Sequence, residues 1–172
     1  MKAPLAKIID VGRLITVLVA WAVLFGAQQK PYNGPRPPKP DIPYLLHADN
    51  LIETEVGEAR MEERKNQTVH TLPGAASPVR TPLAEPIFLF LSDKIKPEKL
   101  ALYRLESTRG QREIAFPNNP RDMVRSGPRP VHLTFKRLEE NLYWIEVNQY
   151  LENGEYCLSP SGSQAVFCFQ IY

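Results

Sequence analysis

The sequence predicts an all-β protein, built as an antiparallel β-sandwich. Short segments of continuous or alternating apolar residues recur from Pro86 onward, and turn signals rich in Gly, Pro, Asn and Ser separate them. Few stretches there have a helical composition. A chain of 172 residues fits one domain of ordinary size. We therefore expect a signal peptide or N-terminal anchor at 1–28, a proline-rich linker at 29–43 and a single sandwich domain at 44–172.

The N-terminal segment has the features of an export signal. Lys2, Lys7 and Arg13 accompany an apolar run from Leu14 to Ala27. This run has the length of the hydrophobic region of a signal peptide and is short for a membrane span. Phe25 stands where cleavage after Ala27 requires a small residue. The pattern favours a cleaved signal and leaves an uncleaved anchor open.

The predicted mature domain carries no net charge. The whole chain has 21 basic and 19 acidic residues. Three basic residues and one acidic residue lie in 1–27, so 18 of each remain. Nucleic-acid or anionic-lipid binding usually needs a positive excess, which is missing here. We expect no nucleic-acid partner, and membrane contact only through an uncleaved N-terminal segment.

The segment PYNGPRPPKPDIP predicts an extended, semi-rigid tether, because proline restricts its own φ and the conformation of the preceding residue. A P-x-x-P docking ligand at Pro35 and Pro38 is the alternative. The next segment, 51–66, is rich in Glu and Arg and fits either an exposed helix or a charged hairpin. The hairpin is favoured, because nearly everything downstream is β.

The best-defined strands begin at Ile87. The run IFLFL predicts a buried strand. In ALYRLESTRGQREIAF, a two-residue turn at Arg109-Gly110 places Tyr103 opposite Phe116 and Leu105 opposite Ile114. These four side chains share one face of the hairpin, while the opposite face is polar.

Two surfaces in the following segment are candidates for binding. The loop 117–130 has no strand pattern and carries three arginines, Arg121, Arg125 and Arg129. A solvated crossover between sheets is its simpler interpretation. In NLYWIEVNQYL, alternation places Trp144 and Tyr150 on the face opposite the core, where aromatic rings bind sugars or protein partners. The favoured interpretation is that this face packs too and is covered by the 44–72 segment.

The last hairpin contains both cysteines of the chain. A turn at Gly162-Ser163 pairs Cys157 with Cys168, close enough for a disulfide. In an exported protein a bridge is favoured over two free thiols. The same register places Tyr156 among the core residues, with the cysteines on the opposite face. The bridge is therefore expected to cross-link the hairpin from outside the core.

The stretch YLENGEY matches the L-x-x-G-x-Y arrangement of a tyrosine corner through Leu151, Gly154 and Tyr156. On these residues the last third of the chain resembles immunoglobulin-like and fibronectin-type sandwiches. The stretches YLLHADNL, TPLAEPIF and GEYCLSP also resemble exported bacterial β-sandwich proteins. This resemblance implies export and a β fold, and it carries no activity, cofactor or functional residue.

No catalytic motif is present in the sequence. The three histidines, His47, His70 and His132, are isolated, and no nucleophile elbow, zinc motif or phosphate-binding glycine loop occurs. We expect no catalytic residue, metal or cofactor.

The sequence thus predicts an exported, non-catalytic module with a binding or structural role at the cell envelope, and an unknown protein or glycan partner. It is expected in the periplasm or outside the cell, or anchored to the inner membrane. The alternatives are a carbohydrate-recognising domain that uses Trp144 and Tyr150, and a periplasmic enzyme of unrecognised type.

Charge in the apolar run should block export. Val17→Arg with Val19→Arg costs about 2.5–3.5 kcal/mol per charge at the centre of an inserted helix. We expect this variant in the cytoplasm with reduced thiols, whereas Val17→Leu with Val19→Leu is exported like wild type. Fractionation with protease protection measures both. Full-length wild-type protein that is soluble in the cytoplasm would contradict the prediction.

Overall fold

The computed structural model describes residues 31–172, and the predictions for 1–28 fall outside them. Residues Tyr32–Tyr172 form one compact unit. Its elements are β1 (Pro43–His47), β2 (Asn50–Glu53), β3 (Glu55–Glu58), β4 (Arg60–Arg64), β5 (Gln67–Pro73), β6 (Arg80–Thr81), β7 (Ile87–Leu91), a 3-10 turn (Pro97–Lys99), β8 (Leu100–Thr108), β9 (Gln111–Pro117), α1 (Pro120–Ser126), β10 (Leu133–Arg137), β11 (Leu142–Val147), β12 (Gly154–Pro160) and β13 (Ala165–Ile171).

The described residues are mainly antiparallel strands in two sheets, which confirms the predicted all-β class. The first sheet has the order β10-β11-β7-β1-β2. The second has the order β3-β13-β12-β8-β9-β5-β4, and β6 adds to β13 in parallel. Within 31–172 no helix is both long and apolar enough to cross a membrane.

The two sheets enclose the main core. The first sheet contributes Leu45, Phe88, Phe90, Ile145 and Val147. The second contributes apolar residues from β8, β12 and β13: Leu100, Leu102, Tyr156, Leu158, Phe167, Phe169 and Ile171. Two sheets packed around one apolar interior form the sandwich that the alternating strands predict.

The second sheet also closes on itself. β3 and β4 are consecutive, with only Ala59 between them, and they lie at the two ends of the strand order. β3 pairs with β13 and β4 pairs with β5, while the Ala59 N–H donates to the Gln164 carbonyl oxygen (2.8 Å). The continuous segment 55–64 therefore completes a ring with β13, β12, β8, β9 and β5. We call this ring the strand cylinder.

The cylinder encloses a second, smaller cluster of apolar side chains: Ala59, Leu72, Leu105, Cys157, Val166, Cys168 and, partly buried, Ile114. Strands β12 and β13 lie between this cluster and the main core, so both of their faces are buried. Their pattern of nearly continuous burial follows from this position.

The C-terminal hairpin has the predicted register. Cys157 pairs with Cys168, Tyr156 with Phe169 and Leu158 with Phe167, and the two cysteines form a disulfide. The predicted position of the bridge on an outer surface is wrong. Its cysteines are 3% and 1% exposed, because the β4–β5 and β8–β9 hairpins fold over that face and turn it into the cylinder interior.

The β8–β9 hairpin also turns as predicted, at Arg109-Gly110. Both residues have positive φ (53° and 80°), as a two-residue hairpin turn requires. Glu106 pairs with Glu113 in the corresponding register.

The segment 51–66 contains strands, as the hairpin interpretation predicts, and no helix. β2 pairs with β1 in the first sheet, and β4 forms a hairpin with β5 in the second. The chain crosses between sheets at the buried Thr54, whose hydroxyl donates to the Pro43 carbonyl oxygen (2.8 Å). The segment 44–72 therefore contributes to both sheets.

The proline-rich segment is in contact with the domain from Tyr32 onward, before the predicted start at 44. At one edge of the first sheet, Arg36 binds Glu139, which follows β10 (2.6 and 2.8 Å). At the other edge, Lys39 binds Glu53 at the end of β2 (2.9 Å). Pro37, between these anchors, is buried. We call residues 32–40 the strap.

The position of the disulfide inside the cylinder predicts an asymmetry between two double variants. Cys157→Ala with Cys168→Ala should lower the free energy of unfolding by about 2–3 kcal/mol, the value for a loop of this length. The corresponding double Ser variant should cost about 1 kcal/mol or more in addition, since its hydroxyls enter an apolar interior. Urea unfolding measures both. Equal stability of the two variants would place the bridge at a solvated surface.

Candidate functional site

The interior of the strand cylinder is the candidate site. Alternation along each strand directs every second side chain inward. Across the hairpins, the directly paired residues Cys157 and Cys168, and His70 and Ile114, lie on the same face of the sheet. The inward residues form three levels: a charged closed end, a middle level with the disulfide, and an open end lined with aromatic rings.

The open end contains a cavity of about 240 Å³. Its aliphatic and sulfur-bearing walls come from side chains of the second apolar cluster, among them Cys157, Ala59 and Val166. Three aromatic residues from three different strands, His70, Tyr103 and Phe116, complete the apolar lining. Serine hydroxyls and one amide line the β12–β13 end of the cavity: Ser159, Ser161, Ser163 and Gln164.

The three aromatic residues pack on one another. The Phe116 ring makes edge-to-face contacts with His70 and with Tyr103, each with centroids 5.6 Å apart. This arrangement is favourable for aromatic quadrupoles. Neither the Tyr103 hydroxyl nor the His70 imidazole hydrogen-bonds to another residue of the range 31–172. Both groups are therefore available to a ligand in the cavity.

The opposite end of the cylinder is closed by Arg112. Its side chain is 1% exposed and makes a bidentate ion pair with Glu55 (2.6 and 2.7 Å). The same guanidinium donates to the carbonyl oxygens of Gly74 (3.1 Å) and Pro73 (3.0 Å). A second carboxylate, Glu155, is buried, lies 3.8 Å from Arg112 and accepts a hydrogen bond from the Ser77 N–H (2.8 Å).

The two carboxyl groups beside Arg112 differ in their pKa. Burial raises the pKa of Glu155 above its ordinary value, and the Ser77 N–H and Arg112 offset only part of this effect. Burial acts in the same direction on Glu55, but hydrogen bonds from Arg112 and Ser77 outweigh it, so the pKa of Glu55 is lowered. One guanidinium therefore fully compensates only the carboxylate that it binds directly.

Two residues of the predicted tyrosine corner, Leu151 and Tyr156, belong to the main core. The Tyr156 hydroxyl donates to the Glu152 carbonyl oxygen (2.9 Å), and Leu151 is buried. Gly154 begins β12, where the Arg104 side chain passes close to its Cα. None of the three lines the cavity. Of the predicted site residues, only Cys157 does.

The predicted aromatic surface is divided in the structure. Tyr150 is 72% exposed in the loop after β11. Trp144 is partly buried, and its indole N–H donates to Glu146 (2.6 Å). Its face of the sheet also contains Leu89 and Leu142, which are fully buried. The strap anchors at both edges of this sheet, so it, and not the 44–72 segment, lies over this face.

The loop 117–130 contains the short helix α1. The Asn119 side chain caps it by accepting from the Arg121 N–H (2.9 Å), and Pro120 occupies the first helical position. Arg121, Arg125 and Arg129 are all exposed. Arg129 lines a second, open groove along β8 and β9. None of the three arginines lines the cylinder cavity.

The sequence patterns did not indicate His70 and Arg112 as site residues. They did place Tyr103, Leu105, Ile114 and Phe116 on one face, and these residues now line the cavity. The signal for Arg112 was available but ambiguous, since an arginine on the apolar face of a hairpin is also found at strand ends. In the part of the chain that the structure describes, no cluster of His, Cys, Asp or Glu could hold a metal ion.

The chain matches no protein-family model, no curated protein and no solved structure. Its function must therefore be argued from the geometry of the cylinder.

The two carboxyl groups at the closed end predict opposite pH dependences. With a raised pKa, Glu155 contributes stability that is present below the ordinary glutamate pKa and lost as the pH rises through the folded value. With a lowered pKa, Glu55 contributes stability that is present above the ordinary value and lost as the pH falls through the folded value.

We therefore expect Glu155→Gln to be at least as stable as wild type near neutral pH. The difference in free energy of unfolding between the two proteins should disappear towards about pH 4. Glu55→Gln removes the bidentate partner of the buried Arg112 and leaves only the more distant Glu155, so it should cost up to about 3–5 kcal/mol near neutral pH, and less in acid. Urea unfolding as a function of pH measures both variants. A Glu155→Gln protein that is less stable than wild type at every pH would contradict the assignment.

Proposed function

We propose that this protein is an exported, non-catalytic module that binds a small, largely apolar molecule in the open end of the strand cylinder. The observation that carries the proposal is the cavity itself, which is about 240 Å³ and opens between three aromatic rings and the β12–β13 turn. Small-molecule sites are typically concave and mostly apolar, with a few polar groups that fix the orientation. This cavity has that composition.

The rigidity of the walls supports a binding role. The disulfide joins two neighbouring strands directly beneath the cavity, and the Arg112–Glu55 ion pair fixes the closed end. A preformed cavity costs little conformational entropy when a ligand enters. The main core on the other side of β12 and β13 adds a second rigid support.

Export is part of the proposal. The disulfide is compatible with an oxidising compartment, where such bridges persist. The basic start and the apolar run from Leu14 to Ala27 provide the signal that would carry the chain there. The module would then act in the periplasm or outside the cell, where it would capture its ligand or present it to a partner.

An immunoglobulin-like relationship for the sandwich is also proposed. It is supported by the hydrogen bond from Tyr156 to Glu152, which has the geometry of a tyrosine corner. In this view the sandwich is the scaffold, and the cylinder is an addition to its second sheet.

Filling the cavity should abolish binding. Ser159 is a small residue on the cavity wall, and Ser159→Leu places a larger apolar side chain there. Binding of 2-naphthol and 1-octanol is followed by chemical-shift changes in the protein. For a ligand of about ten non-hydrogen atoms at roughly 0.5 kcal/mol each, the Kd is on the order of 0.1 mM.

The matched control is Ser126→Leu, the same substitution in helix α1, away from the cavity. It should bind as wild type does, while Ser159→Leu binds neither compound. Circular dichroism and urea unfolding check that both variants fold. Unchanged binding by a folded Ser159→Leu protein, or no binding by wild type, would overturn the proposal.

A further inference from the structure

The size of the cavity restricts its ligand. An apolar cavity of about 150 Å³ in another protein holds one benzene ring. The cavity in the strand cylinder, at about 240 Å³, is larger by roughly the volume of a second fused ring. Part of a compound with three or more rings would lie outside the open end. The volume therefore fits a bicyclic molecule or a short chain.

The shape of the lining favours a ring over a chain. Phe116 lies between His70 and Tyr103, and both of its neighbours meet it edge-to-face. A planar aromatic ligand can extend this cluster by stacking or edge contacts, which add about 0.5–1.5 kcal/mol per pair beyond the burial of area. A flexible chain gains no such contact and loses rotamer entropy on binding.

The charge of the lining excludes most ions. Among the described residues that line the cavity, none is Asp, Glu, Lys or Arg. The charged groups of the cylinder, Arg112 with Glu55 and Glu155, lie at the closed end and already pair with one another. The disulfide and its apolar neighbours separate them from the open end. A ligand carboxylate or ammonium would thus lose hydration without gaining a counter-charge.

The lining does offer hydrogen bonds. Tyr103 and His70 line the cavity, and neither the Tyr103 hydroxyl nor the His70 imidazole makes a hydrogen bond within the range 31–172. Both can donate or accept a hydrogen bond. A hydroxyl or ring N–H on the ligand can therefore be satisfied inside the cavity.

We infer that the ligand is a neutral aromatic molecule of one or two fused rings that carries a hydroxyl or ring N–H group. The ring packs against Phe116, and the polar group bonds to Tyr103 or His70. This inference rests on the proposed function, because it specifies what the proposed cavity holds.

Four probes test the chemical class on the full-length, oxidised protein: 2-naphthol, naphthalene, naphthalene-2-carboxylate and 1-octanol. We expect 2-naphthol to bind tightest, with naphthalene-2-carboxylate and 1-octanol each at least tenfold weaker. If the carboxylate or 1-octanol binds as well as 2-naphthol, and Ser159→Leu abolishes that binding, the inference is wrong and the proposed function stands. If no probe binds, or none responds to Ser159→Leu, the proposed function fails and the inference fails with it.

A second experiment tests the hydrogen bond. Tyr103→Phe keeps the ring and removes the hydroxyl, so binding of 2-naphthol should weaken roughly five- to tenfold while binding of naphthalene is unchanged. Tyr150→Phe, which removes an exposed hydroxyl away from the cavity, is the matched control and should change neither. His70→Phe tests the second candidate partner in the same way. If neither Tyr103→Phe nor His70→Phe separates the two ligands, the polar group of the ligand does not bond to Tyr103 or His70, and that part of the inference is overturned.

Discussion

The closure of the second sheet is the constraint on which the rest of this structure depends. One continuous segment, 55–64, pairs with β13 through its first half and with β5 through its second half. The change of partner occurs at Ala59, whose N–H still finds an acceptor in Gln164. Because closure pairs both edges of the sheet, it removes exposed strand edges and encloses an interior. Without it, the disulfide face would be the solvated outer surface of an ordinary sandwich.

The two ends of the cylinder differ because their residues differ in polarity. At the closed end, Arg112 is desolvated but compensated by Glu55 and two carbonyl oxygens, so a full charge is tolerated there. At the open end the side chains are apolar or neutral, and the space between them is not filled. The Arg112–Glu55 ion pair fixes the width of the closed end, and the disulfide fixes the distance between β12 and β13 in the middle of the cylinder. The cavity is what remains when these two levels are rigid and the third lacks a side chain large enough to occupy it.

The strap shows a related principle on the first sheet. A sheet with one buried face needs a polar opposite face or a cover. Here Leu89 and Leu142 are apolar on the face opposite the core, and residues 32–40 are anchored at both edges of that sheet. Prolines suit this position, because they lose little conformational entropy in an extended segment and have no backbone N–H that requires an acceptor. The proline-rich composition that predicts a free tether is therefore equally suited to a segment that covers the face of a sheet.

The sequence by itself determined the local pairing. The turn residues at 109–110 and 162–163 and the alternation beside them set the register of two hairpins, and with it the Cys157–Cys168 bridge, because these contacts are close in the chain. It also sorted the side chains into faces, including Tyr103 with Phe116. Only the tertiary structure decided what each face meets, since alternation has the same form whether a face contacts solvent, another sheet or the inside of a cylinder. β4 pairs with β5 in a local hairpin, but the pairing of β3 with β13 is long-range and leaves no local pattern. For that reason the buried position of the disulfide, the role of Arg112 and the cavity between His70, Tyr103 and Phe116 emerged only with the closed sheet.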